Sequence, residues 1–247
     1  MKTKATRKPI YFTVALFLIL PCILASSVDV LAADRNKQRS YGEAVMSVEE
    51  ILCDINERLG SDLEAVPPTR KGELSASEII LSGQELIDAI EYYENFAKEI
   101  LENNTLVDKL WYEKTGIPAE EAEWLPCEWE DESAENVPFP TRGTAAYSSM
   151  RSAWSPNGWI DCTARGLVNT TSPKTFNKIN SVTANSIRVN GLTIEKYKAT
   201  SYSIKLIDAA RTAATNITGT LTKTPPFPLP SSTGTLKVYT EFYAGSP

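Results

Sequence analysis

The chain has 247 residues, with 25 Lys+Arg against 31 Asp+Glu, four cysteines and no histidine. The missing histidine excludes serine and cysteine hydrolases that use a histidine base, and every zinc site with an imidazole ligand. The net charge of −6 conceals a sorting by position: residues 34–138 carry 26 acidic and 9 basic side chains, whereas residues 139–247 carry 4 and 12. An acidic piece is joined to a basic one, and such asymmetry marks two units with different partners, or two that are partners of each other.

In chain order, residues 1–33 read as an export signal. Lys2, Lys4, Arg7 and Lys8 precede a nearly unbroken apolar run from Ile10 to Leu24, and Val30-Leu31-Ala32 sets cleavage after Ala32 or Ala33, with Ala25 as second choice. The run is short for a bilayer span, which needs about 20 residues, and Pro21 interrupts it. Pro21 also stands where a lipidated Cys22 needs a small residue. Leu229-Pro230-Ser231-Ser232-Thr233-Gly234 has one residue too many for a wall-sorting motif and reads as a loop. A secreted protein with no stable membrane anchor after signal removal is expected.

A polar spacer, residues 34–46, leads to an acidic helical region, residues 47–125. Ser47-x-x-Glu50 is a capping box, and Val48, Ile51, Leu52, Ile55 and Leu59 follow helical spacing up to Gly60. Cys53 falls off that stripe. A second capping box, Ser75-x-x-Glu78, predicts a longer helix to about Asn103, with Glu85, Asp88, Glu91, Glu94 and Glu99 on a solvated face. Leu106, Val107, Leu110 and Trp111 predict a third helix ended by Gly116, and Pro118 opens a short acidic turn.

Residues 126–145 read as an acidic, proline-containing linker. Beyond it the composition turns to Thr, Ser, Val, Ile and Tyr, which favours strands in a basic β-domain, residues 146–247. Val189-Asn190-Gly191-Leu192 predicts a two-residue hairpin turn pairing Val189 with Leu192 and Ile187 with Ile194. Alternating runs cover Trp159–Leu167, Tyr202–Ile207, Thr212–Thr222 and Thr235–Tyr243. Four prolines make Thr224–Ser232 a stiff loop. The expected fold class is α+β: a small N-terminal helical segment followed by an antiparallel β-sandwich or small barrel.

The chemistry on offer is narrow. No catalytic, cofactor-binding or metal-binding residue set is predicted, and Cys53, Cys127 and Cys162 are spaced unlike any zinc motif. One pair of the three can form a disulfide in an exported chain, and the spacing does not choose which. A glycosidase needs two carboxyls about 5 to 9.5 Å apart, and the β-domain offers only Asp161, Glu195, Asp208 and Glu241. All five tryptophans lie between residues 111 and 159. Of these, Trp154 and Trp159, flanking Ser155-Pro156-Asn157-Gly158, are the candidates for exposure and for stacking on a sugar ring, while Trp111 and Trp124 fit contacts between helices and sheet. Arg165, Arg188, Lys196 and Lys198 are the candidate cationic ligand residues, part of a field suited to an anionic envelope polymer or glycan. Nucleic acid is not expected as a partner. The reading is an exported, non-enzymatic binding or interaction protein of a bacterial cell exterior, with the acidic region contacting the basic domain within the chain. Two alternatives stand beside it: a toxin-like or bacteriocin-like effector with an acidic masking pro-region, and a small carboxylate-dependent glycan hydrolase.

Overall fold

Ser47 starts the first helix through reciprocal bonds: its Oγ accepts from the Glu50 N–H at 3.2 Å, and its own N–H donates to Glu50 Oε2 at 2.8 Å. The computed structural model describes residues 44–70, 72–127, 140–156, 158–189, 192–225 and 229–245, excluding the side chains of 185–189 and 192–195. The residues read as an export signal, most of those read as a spacer, residues 128–139 including Trp129, and Asn190-Gly191, read as a hairpin turn, lie outside the described residues.

The chain divides into two compact units, Met1–Met46 with Leu81–Asp88, and Ser47–Ile80 with Ala89–Pro247. Elements in order are β1 (Val45–Ser47), α1 (Val48–Leu59), β2 (Glu64–Ala65), β3 (Ile80–Ser82), α2 (Gly83–Thr115), β4 (Leu125–Pro126), β5 (Thr144–Ser155), β6 (Gly158–Asn169), β7 (Phe176–Val189), β8 (Leu192–Ile207), β9 (Thr212–Lys223) and β10 (Ser232–Tyr243). In the smaller unit, Leu81 and Leu86 are buried and the Gln84 amide donates to Asp88. β1 and β3 pair as a two-stranded sheet.

In the larger unit, α1 buries Val48, Ile51, Leu52 and Ile55 and ends at Gly60, whose φ of 68° a side chain would resist. Only half of the Ser75 box forms: Glu78 accepts from the Ser75 N–H at 2.8 Å, but its own N–H donates to the Ser75 carbonyl at 3.0 Å, closing a turn. The second helix begins at Gly83 instead, and it runs unbroken to Thr115 where two helices were expected. Asn103 and Asn104 are poor helix formers. Here their side chains are bound to β10, and that tertiary contact overrides local preference.

The protein is mixed α+β, with few helices and mostly antiparallel strands in a curled sheet. The strand order is β2-β10-β9-β8-β7-β6-β5, a meander from β5 to β10, with β4 pairing β8. Leu236, Val238, Thr240 and Phe242 of β10 face the core together, as their alternation requires. Beside them lie Ile160, Cys162 and Ala164 of β6, Val182 and Ala184 of β7, and Ile217 and Leu221 of β9, all buried. Tyr197 crosses this interior to donate to the Leu236 carbonyl at 3.3 Å. Its ring lies over Gly219, where an added Cβ would meet ring atoms at 2.6 Å.

The hairpin register departs from expectation. Val189 faces Leu192, but Ile187 faces Glu195, because register shifts on either side of Ile187 displace the pairing. β4 and the first residues of β5 also use both ends of the segment read as linker: Leu125 pairs Tyr202, and Thr144 pairs Asn169.

The free edge of β10 is covered by side chains. Asn104 Nδ2 donates to the Thr235 carbonyl at 2.8 Å while its Oδ1 accepts from the Lys237 N–H at 2.7 Å. Asn103 donates to the Lys237 carbonyl at 2.8 Å, and Asp62 accepts from the Thr235 N–H at 3.1 Å. An edge strand is thereby denied to other strands. Ion pairs join the same surfaces: Lys237–Asp108 at 2.6 Å, Lys223–Glu99 at 2.9 Å and Lys114–Glu241 at 3.5 Å. Further along, Trp111 packs with Ala119 and Ala214.

Candidate functional site

β5 alternates small or inward residues with exposed ones. Tyr147, Ser149, Ala153 and Ser155 are buried, while Met150 and Trp154 are 63% and 56% exposed. A tight turn returns the chain, with Ser155 Oγ donating to the Gly158 carbonyl at 3.0 Å. Trp159 on β6 then stands directly opposite Trp154, itself 51% exposed. Both candidate tryptophans therefore share one outward face.

The ladder continues that row. Trp159 pairs with Arg188 of β7, so Trp154, Trp159 and Arg188 occupy one cross-strand row by register. In the next row Ser152 faces Asp161, Asp161 faces Asn185, and Asn185 faces Lys198 of β8. Ser152 Oγ donates to Asp161 Oδ1 at 3.1 Å. Lys196 and Lys198 are both exposed on β8. Arg165, also exposed, lies further along β6, opposite Ser148 and Ser181. The candidates thus sit on four consecutive strands, whereas the sheet lysines ion-paired to α2 are Lys223 of β9 and Lys237 of β10. Asp161 figures in the sequence only as a candidate carboxyl for hydrolysis, and Ser152 and Met150 not at all, although alternate spacing from Trp154 and Trp159 places all three on the same face.

A second cluster gathers around Glu241. Its carboxylate accepts from the Tyr239 and Tyr243 hydroxyls, each at 2.8 Å, with Lys114 beside it. Burial raises this carboxyl, but the two phenol hydrogen bonds and Lys114 together hold it below the usual value. Tyr239 is pushed up, chiefly by burial and then by its bond to Glu241. The Arg151 guanidinium lies 5.3 Å from the Tyr243 ring centroid, joining β5 to β10 at the two ends of the meander. Nearby, Asp208, Ala209 and Ala210 take φ of 52°, 54° and 64°. Three successive non-glycine residues there are strained. Thr212 bonding Asp208 and the Phe176 N–H donating to the Ala210 carbonyl hold the turn.

Because Glu50 and Glu78 are lowered by bonds from Ser47 and Ser75, and Glu241 as above, these groups add stability above the unfolded value of 4.5. That contribution is lost as pH falls through the folded values. A urea midpoint measured at intervals from pH 6 to 3 should decline below about pH 4.5, and the Glu241→Gln variant should show a shallower decline.

All three described cysteines are free thiols. Burial pushes Cys127 up to about 11 and Cys162 up to about 12, the latter raised further by Asp161. Cys53 is exposed on α1. In the reduced, folded protein, iodoacetamide at pH 8 should label Cys53 within minutes and the other two only after denaturant is added. Mass spectrometry of the peptides reads this directly; native labelling of Cys162 would contradict the burial.

Among the described residues there is no group of three or more metal-ligating side chains, and no helix long and apolar enough to cross a membrane. The sequence holds three Asn-x-Thr sequons, at Asn103, Asn169 and Asn216; Asn103 and Asn216 are 4% and 0% exposed, so neither is open to glycosylation in the folded chain. No family model, curated protein or solved structure matches this chain.

Proposed function

We propose that this is an exported, non-enzymatic binding protein of a bacterial cell exterior, whose aromatic and cationic sheet face holds an anionic polymer or glycan. The observation that carries this reading is the pairing of Trp154 with Trp159, both more than half exposed, on a sheet face that also carries exposed Arg165 of β6 and Lys196 and Lys198 of β8. Large apolar side chains are seldom left in water side by side without a partner, and neighbouring cations give that partner its sign. We read the curled meander as a small barrel, supported by Arg151 of β5 stacking on Tyr243 of β10. Such a frame presents the outward face on rigid strands.

The alternatives fare less well. An acidic masking pro-region has to come away, whereas here Asn103, Asn104 and Asp108 support β10 itself. For a carboxylate hydrolase, Glu241 is an unsuitable general acid, since both oxygens accept phenol hydrogen bonds and its proton is disfavoured. Binding of the mature chain to linear polyphosphate and to polygalacturonate, followed by calorimetry, tests the reading. The Arg165→Glu, Lys196→Glu, Lys198→Glu triple variant should lose at least about tenfold in affinity for both. Unchanged affinity in a folded triple variant would remove this face from the account.

A further inference from the structure

We infer that the Trp154–Trp159 end of the hairpin is a subsite for a sugar ring, so that the polymer held by the proposed face is an acidic polysaccharide. This rests on the reading of that face as a binding surface, and adds what the ligand must be built from.

Two indoles directly opposite in an antiparallel pair have Cβ atoms about 5 Å apart. Trp154 and Trp159 therefore set two exposed indoles on neighbouring strands, directly opposite in register, at the end of the sheet. The C–H face of a pyranose is apolar and flat enough to stack on such a surface. Bare polyphosphate has no comparable face.

The next row supplies polar groups at the right distance. Two residues along each strand, about 6.8 Å away, Ser152 Oγ donates to Asp161 Oδ1. A hydroxyl and a carboxylate beside an aromatic platform match the alternating donors and acceptors on a sugar's rim. Charge recognition begins in the same row: Lys198 lies two strands beyond Asp161, about 10 Å across the sheet. Exposed Lys196 extends it along β8. Ring and charge are thus read at neighbouring but separate places, as a chain of rings bearing carboxylates or phosphates requires.

A bilayer surface is disfavoured by the same row. Asp161 sits between the tryptophans and exposed Met150, so seating the apolar patch in a membrane would press a carboxylate against anionic headgroups.

Four probes separate these cases with the full mature chain: polygalacturonate, with rings and carboxylates; linear polyphosphate, with charge alone; dextran, with neutral rings; and phosphatidylglycerol vesicles. The W154A/W159A variant should lose about tenfold or more in affinity for polygalacturonate and stay within about twofold on polyphosphate. An unchanged unfolding midpoint shows that the variant is intact. Wild-type affinity should rank polygalacturonate above dextran. Equal losses on both anionic polymers, or no loss on either, overturn the ring subsite while leaving the cationic face standing. Absence of binding to both polymers removes the face and the subsite together. Tryptophan-dependent binding to vesicles without binding to polygalacturonate replaces the subsite with a membrane surface.

Discussion

Residues 140–247 expressed alone should fail to give a folded monomer. Cutting away the helices leaves the N–H and carbonyl of both Thr235 and Lys237 without the partners supplied by Asp62, Asn103 and Asn104. Each lost hydrogen bond costs about 1 kcal/mol. The same cut uncovers Ala214, on which Trp111 packs, and burying a large side chain contributes about 3 kcal/mol. Together these losses reach about 7 kcal/mol, comparable with the whole stability of a small domain. The exposed edge would also invite pairing with a second copy. Circular dichroism with light scattering reads the outcome: an unfolded or self-associated fragment is expected, and a cooperative monomer would show that the helices are dispensable.

Trp111→Ala should destabilise the full chain by about 3 kcal/mol, the lower end for a buried aromatic. Trp111 is 1% exposed and seals Ala119 and Ala214, but its Nε1 has no hydrogen-bond partner. Removing the indole therefore also removes a buried polar group that was costing stability, which moderates the loss. Trp154→Ala and Trp159→Ala should each cost below about 1 kcal/mol, the range of a cross-strand pair. Urea titrations with an unchanged slope make the comparison. Losses of equal size at Trp111 and Trp154 would mean that the exposed pair is structural, and the binding face would lose its main support.

The contrast among these tryptophans was partly legible in the chain. Trp111 follows Leu106, Val107 and Leu110 at helical spacing, which places it inward. Trp154 and Trp159 flank a Pro-Asn-Gly turn, which places them at a hairpin end. Their direct opposition depends on the register of β5 with β6, and β5 itself gave little signal. Its sequence, TAAYSSMRSAWS, has one β-branched residue, since small side chains fill its inward positions. The helix boundaries mislead for the opposite reason. Asn103, Asn104 and Thr105 look like an end to any helix judged locally, and only the edge of β10, some 130 residues away in sequence, explains why the helix continues. Likewise Ser75 and Glu78 bond to each other locally, but around a turn, and extended β3 follows before Gly83. The cationic candidates follow from composition alone. Their common face emerged from pairing, with Asp161, Asn185 and Lys198 in one row.

Hydroxyl-radical footprinting of the full chain, with and without polygalacturonate, tests the proposed binding face most directly. Trp154, Trp159 and Met150 are exposed and oxidise readily, as does Tyr112, 56% exposed on α2. The account predicts that the polymer protects Trp154 and Trp159 and leaves Tyr112 oxidising at its free rate. Protection of Tyr112 with Trp154 and Trp159 still open would place the ligand elsewhere and contradict it.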